Sequence, residues 1–414
     1  MELILSRRSA ELSGNQEPPR KVCFFFNAQL HHVFHAMPLA IELSRDPRFQ
    51  IDIVAMTDNH LDLARDIARQ QGVDNLRFVH VRGRFLSAVT RMVGSATPPK
   101  LAALVSARRQ LADYDAIVVP ERTSLLLRHA GLRRTSFIHT CHGAGDRAVG
   151  YDRRIRHFDF VLLAGEKQRR RMLEKGLIRD GHYAVVGYGK FDLTEGRVPE
   201  RLFPQDRPIV LYNPHFSNRL SSWPSMGLDI IRQFAQDDRF NLIVAPHIRM
   251  YDNSRLRARM ERELAPFAGL PHIHIDLGSP ASVDMRYTQA ASVYLGDVSS
   301  QIYEFVVRPR PCLFLDSHGA DWQGDASYRH WQYGPVHRDA ANIVDKVAAA
   351  IASHGDYAAA QKQGIADTFT GQESRASEKA ARAVGDFLAQ IPSRRGARAS
   401  GRMAHRASDT LIHE

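Results

Sequence analysis

Short apolar runs alternate with helix-patterned segments along almost the whole chain, and they do so in two series. The first series holds "KVCFFFN" (21–27), "FQIDIVAMT" (49–57), "NLRFVHV", "DAIVVP", "SFIHTCH", "FDFVLLAG" and "YAVVGYG" (183–189). Helical patterns such as "HHVFHAMPLAIELSRD" (31–46) and "HLDLARDIARQQG" lie between several of them. A stretch of mixed charge with three prolines follows, "KFDLTEGRVPERLFPQDRP". The second series then runs through "PIVLYNP" (208–214), "FNLIVAPH" (240–247), "HIHIDLG" (272–278), "ASVYLGD" (291–297) and "PCLFLD" (311–316). Strand–helix alternation of this kind forces parallel sheets covered by helices on both faces. The pattern therefore predicts an α/β chain of two Rossmann-like domains whose parallel sheets face a cleft. The expected boundaries are a disordered tail at 1–20, a first, acceptor-side domain at 21–191 and a linker at 192–207. A second, nucleotide-donor domain is expected at 208–390, with a basic disordered tail at 391–414.

Composition narrows the function classes. A chain of 414 residues suits two domains. The formal net charge of +11 favours anionic partners such as nucleotides, phosphates or an anionic membrane surface. Part of that excess sits in "SRRGARASGRMAHR" (393–406), which has no apolar period. No basic patch interleaved with aromatic residues occurs, so nucleic acid is not an expected partner. No apolar run is long enough to span a membrane, and the first twenty residues lack the order of a secretory signal. A cytoplasmic location, peripheral at the inner face of the cell membrane, is the expectation. Cys23, Cys141 and Cys312 each sit in an apolar run and form no CxxC pair, as buried thiols do.

Ligands of open parallel sheets bind beyond the carboxyl ends of the strands, and several of those positions are unusually polar. "GDVSSQIYEF" ends a strand on Asp297 and opens a helix with Ser299 and Ser300. Unpaired N–H groups at a helix start attract anions, and serine hydroxyls add hydrogen-bond donors. Asp297 fits there as a cap that accepts backbone N–H bonds. "HTCHGAGD" places His142 after a strand and before Gly143, where a base with a near-neutral pKa could work and a glycine permits close approach. "IVAPHIRM" offers His247 and Arg249 to phosphate oxygens. "LYNPHFSNR" adds Asn213, His215 and Ser217. The first strand-to-helix turn carries His31, His32 and His35 in place of a glycine-rich dinucleotide fingerprint. No zinc-type spacing, Walker loop or GxSxG occurs, so neither a metal nor a cofactor is expected. Asp113-Tyr114-Asp115 lies at the amino end of a strand and reads as a solvated turn. His272, His274 and Asp276 alternate along one strand and read as an exposed face.

Taken together, "NPHF" at 213, "APH" ending at His247, "GDVSSQIYEFVVRPRPCLFLD", "CHG" at 141–143 and "VVGYGKFD" at 185–192 resemble blocks of the CDP-glycerol glycerophosphotransferases. These enzymes build teichoic-acid-type polymers. The resemblance spans roughly residues 139–316; Val298 and His215 stand where that family carries mostly Tyr and Thr. It implies a GT-B fold and transfer of glycerol phosphate from CDP-glycerol, or a related CDP-activated alcohol, to a hydroxyl acceptor that is lipid-linked or a glycan, with release of CMP. It also implies that His142 is the catalytic base, that His247 is the catalytic partner holding the donor's diphosphate, and that Ser299 and Ser300 bind that diphosphate, with Arg249 and Asp297 beside them. A GT-B glycosyltransferase using a nucleotide-activated sugar is the alternative. A nucleotide-sensing scaffold and a nucleotide-sugar epimerase stand behind it, the last because no convincing set of cleft carboxylates is visible in the sequence.

Overall fold

Each half of the chain builds one parallel sheet with the strand order of a doubly wound fold. The computed structural model describes residues 18–81, 100–140, 143–147, 150–197, 200–252, 254–371 and 374–392. The first sheet comprises β1 (Arg20–Phe26), β2 (Phe49–Ala55), β3 (Arg77–His80), β4 (Ala116–Val119), β5 (Ser136–Thr140), β6 (Phe160–Leu163) and β7 (Tyr183–Val185). Its spatial order is β3-β2-β1-β4-β5-β6-β7. The second comprises β8 (Ile209–Asn213), β9 (Asn241–Val244), β10 (Ile273–Ile275), β11 (Val293–Gly296), β12 (Cys312–Leu315) and β13 (Val336–His337). Its order is β10-β9-β8-β11-β12-β13. All ladders are parallel. This is a GT-B architecture of two Rossmann-like domains.

The apolar runs are continuous because both faces of each sheet are covered. In β1, Val22, Phe24 and Phe26 enter one core while Cys23 and Phe25 enter the core on the opposite face. In the second sheet Leu211 faces one core, and Val210 and Tyr212 face the other. Cys23 and Cys312 are buried free thiols; Cys141 lies outside the described residues.

Strand order reverses between β1 and β4 and again between β8 and β11. Turns diverge at such switch points and open a crevice at the carboxyl ends. Here the two crevices face each other.

The final helix, Ala376–Ala389, does not stay with the sheet that precedes it. Ala380, Val384 and Leu388 join the core of the first sheet. The crossing is pinned by Thr370, whose N–H donates to the Ala164 carbonyl (3.0 Å) and whose hydroxyl accepts from Glu166 N (3.2 Å). Asp192 accepts from Ser377 N at 2.7 Å. The expected second domain, 208–390, thus ends in a helix that packs on the first sheet.

Two sequence expectations are corrected. Asp113-Tyr114-Asp115 is not a solvated turn: the Tyr114 hydroxyl donates to Asp52 (2.7 Å), and the Asp115 carboxylate accepts from Lys21 N (2.9 Å), with both residues buried. His272, His274 and Asp276 are not an exposed face, because neighbouring helices cover it. His272 contacts the Phe234 carbonyl (2.9 Å) and His274 contacts the Tyr287 hydroxyl (2.9 Å). Asp276 accepts from Gly278, Ser279 and Tyr287.

Gly165 sits where the returning segment passes closest. A Cβ there would lie 2.3 Å from the Thr368 carbonyl oxygen. Gly165→Ala should cost about 2 kcal/mol through overpacking, read as a lower denaturant midpoint; an unchanged midpoint would show that the crossing can shift without penalty.

Candidate functional site

Between the two sheets lies a cavity of about 620 Å³, lined from both domains. The first domain supplies the turns after β1, β4 and β5, including His31, His32, His35, Glu121, Gly143, Asp146 and Arg147. The second supplies the turns after β8, β9 and β11, including His215, Ser217, His247, Arg249, Ser299 and Ser300. His31 and His247 bring the two sides together, with ring centroids 6.3 Å apart. His142 lies outside the described residues; Gly143, which follows it, is in the cavity wall.

Three adjacent strands, β9, β8 and β11, deliver the polar side chains of the second domain to one place. His247 Nδ1 accepts from Arg249 N at 3.2 Å, and His215 Nδ1 accepts from Ser217 N at 3.0 Å. In each neutral ring this leaves the proton on Nε2. That nitrogen of His215 is 3.3 Å from Arg147 Nη1. Two hydrogen-bond donors then lie side by side, and one acceptor oxygen placed within reach of both would satisfy them. Arg249 lies 3.9 Å from the centre of the Phe216 ring, which holds its guanidinium in place.

Both histidines are hard to protonate. Burial, then the charges of His247, Arg147 and Arg249, push His215 down to about 3. Burial and Arg249 push His247 down to about 4. They enter the site as neutral hydrogen-bond donors, and an anion would make each easier to protonate.

Ser300 is exposed and packs against the glycine turn of the opposite domain. A Cβ on Gly145 would lie 3.1 Å from Ser300 Cβ. Gly143 has φ of 106°, a left-handed backbone that favours glycine. The glycines thus admit the other domain as well as any ligand. Ser299 is buried, and its hydroxyl accepts from Gln301 N at 3.2 Å. The helix they open, Gln301–Val306, has only six residues. Hydroxyls and neighbouring cations, more than a long helix dipole, therefore supply the attraction for an anion.

Two expected site residues are placed elsewhere. Asp297 is fully buried and does not line the cavity. Its carboxylate accepts from His215 N (2.8 Å), Val298 N (2.8 Å), Ser222 N (2.7 Å) and the Ser222 hydroxyl (3.0 Å). It is a brace between strand ends, and an anion beside it would be repelled. Burial outweighs these bonds and raises its pKa to about 6. Asn213 is likewise inside, donating to the Ala245 carbonyl (2.7 Å) and accepting from the Tyr294 hydroxyl (3.3 Å).

The structure also adds residues that sequence reading passed over. Arg147 follows the glycine turn directly, and that adjacency was the available signal. Three carboxylates, Glu121, Asp146 and Glu304, do line the cavity. Each is engaged by protein groups: Glu121 by Ser124 N (3.0 Å), Asp146 by Lys167 (2.9 Å), Glu304 by Lys190 (2.7 Å) and Tyr188 (2.8 Å). Among the described residues no His/Cys/Asp/Glu group could hold a metal ion, and no helix is long and apolar enough to cross a membrane.

No family model and no curated protein matches the sequence. Solved structures match across nearly the full length. The wall teichoic acid polymerase TagF, soaked with CDPG, superposes with a TM-score of 0.60 at 13% identity, covering 93% of this chain and 92% of that one. S. aureus MnaA with UDP gives 0.60 at 13% identity, covering 90% and 99%. The UDP-GlcNAc 2-epimerase from Neisseria meningitidis, bound to UDP-GlcNAc, gives 0.53 at 11%, covering 90% and 100%. At these identities the likeness establishes the fold.

Two outcomes are expected. Asp297→Asn puts an amide donor against backbone donors and should cost about 3 kcal/mol of stability, read in equilibrium unfolding; no loss would remove the brace. An anion seated on His215 and His247 raises their depressed values, so binding takes up protons and tightens as pH falls. The affinity for sulfate, which does not titrate in this range, should rise from pH 8 to pH 5, and less so in His247→Gln. A flat profile would separate the histidines from the anion.

Proposed function

We propose that this chain is a transferase that moves an alcohol phosphate from a CDP-activated donor, CDP-glycerol or a close relative, to a hydroxyl acceptor and releases CMP. One observation carries the reading. His215, His247, Arg249 and Ser300 gather hydrogen-bond donors at adjoining strand ends, facing Arg147 and the Gly143–Gly145 turn of the other domain, within a cavity of ligand size. Such a set suits two linked phosphates. The sequence blocks that resemble those of CDP-glycerol glycerophosphotransferases support the choice of donor.

The chemistry asks mainly for positioning and for relief of phosphate charge. The acceptor oxygen attacks the phosphorus that bears the alcohol. The bond from that phosphorus to the bridging oxygen breaks, and CMP leaves with the electron pair. His142 takes the proton of the attacking hydroxyl. The cations and neutral imidazoles hold the diphosphate oxygens, with His247 as the main partner of the leaving phosphate.

The three cavity carboxylates favour a second reading, a nucleotide-sugar epimerase, in which one of them would have to leave its present partner to act as a base. Incubation with CDP-glycerol and with UDP-activated sugars separates the two. CMP formed only with acceptor present supports the transferase; a rearranged UDP-sugar without acceptor overturns it. His142→Ala should slow CMP release by about 10²–10⁴-fold while leaving thermal stability in place. Full activity would remove the base assignment.

A further inference from the structure

Asp146, at the end of the glycine turn, is the centre of a buried group that the transfer chemistry above does not use. It is 3% exposed, and its carboxylate accepts from Lys167 Nζ at 2.9 Å and from the Tyr303 hydroxyl. His330 Nδ1 lies 3.2 Å from the same carboxylate. Asp146 and Lys167 come from the first domain; Tyr303 and His330 come from the second. His330, only 2% exposed, is held edge-on by Phe314 with ring centroids 5.7 Å apart.

The carboxylate fixes the tautomer. It can only accept, so in the neutral ring the proton sits on Nδ1 and the lone pair on Nε2. That Nε2 atom is buried with no hydrogen-bond partner among the described residues, and His330 is part of the cavity wall. A buried acceptor left unmatched costs stability unless something supplies a proton to it. The required partner is a hydrogen-bond donor. For the neutral ring a hydroxyl fits, whereas an ionised phosphate oxygen, which only accepts, does not. Arg147, next in sequence to Asp146, places this acceptor near the cationic end of the cleft.

We propose that His330, oriented by Asp146, accepts a hydrogen bond from a hydroxyl of the group carried on the donor's diphosphate, and so selects a polyol or sugar over a plain alcohol. This rests on the reading of the cleft as a nucleotide-diphosphate site, but not on which nucleotide it takes. His330 is here a specificity residue, and the nucleotide and both phosphates bind without it.

Calorimetric affinities on the intact protein test it. CDP-glycerol is compared with CDP carrying propanol, which lacks the hydroxyls, and with free CDP; UDP-glucose and UDP form a parallel pair. The wild-type chain should prefer the hydroxylated conjugate over the propyl one by about tenfold. His330→Phe, which keeps a ring but no acceptor, should erase that preference and leave free-nucleotide affinity unchanged. His330→Gln, which can offer an amide oxygen, should restore part of it. Equal wild-type affinities for the hydroxylated and propyl conjugates overturn the proposal even if His330→Phe fails to fold. So does a preference that survives in His330→Phe, which would assign Nε2 to an ordered water. If only the UDP pair binds, the donor reading above falls while the His330 comparison proceeds on UDP-glucose.

Discussion

The carboxylate of Asp297 is the constraint on which the cleft depends. It is out of contact with solvent, and its four hydrogen bonds tie the end of β11 to the turn that follows β8. Charge buried in this way persists only when its acceptor capacity is filled. Backbone N–H groups fill it here, so the turn carrying His215 has little freedom to drift. The indole of Trp331 closes the other side by donating to the Asp297 carbonyl at 3.0 Å. A rigid turn matters because neutral imidazoles bind anions by direction and proximity, with no net charge of their own to help.

Buried polar contacts join the domains around that brace, beside an apolar cluster in which Ala144, Ala164 and Tyr188 of the first domain pack with residues of the second. Lys190 meets Glu304 across the domains, while Asp146, paired with Lys167 of its own domain, accepts from the Tyr303 hydroxyl of the other, and all four charged side chains are nearly hidden. Such pairs add little net stability over an apolar contact but penalise any arrangement that separates them. They therefore set the relative position of the Gln301–Val306 helix and the glycine turn, the two pieces that meet where Ser300 and Arg147 line the cavity. The small residues at 143 and 145 let that approach happen.

The sheets were legible because their signal is local. Apolar runs bounded by turn residues marked β1, β2, β8 and β11 almost to the residue, and the strand-end rule then pointed at His215, His247, Arg249, Ser299 and Ser300. Direction was not legible. Asp297 and Asn213 sit at the same strand ends as these residues, yet their side chains turn inward, because the strand ends themselves need internal acceptors and donors. Asp115 and His272 misled in the same way: a polar residue reads as solvated unless its distant partner is known, and Lys21 and Phe234 are far away in sequence. His330 left no trace at all, since it lies in an irregular helical segment, Ala326–Tyr333, and gains meaning only from Asp146. His142, the residue on which the resemblance placed most weight, lies outside the described residues.

The return of Ala376–Ala389 to the first sheet has a consequence for how the protein is made. The core of the amino-terminal half contains Leu388. During synthesis that half emerges before the second sheet, yet it lacks one wall until Ala376–Ala389 has been made. The nascent chain must carry an unsealed apolar groove beside the Phe24 face of β1 through the whole translation of the second sheet. Completion of the first layer thus waits on a helix made after the second, and the two halves mature together.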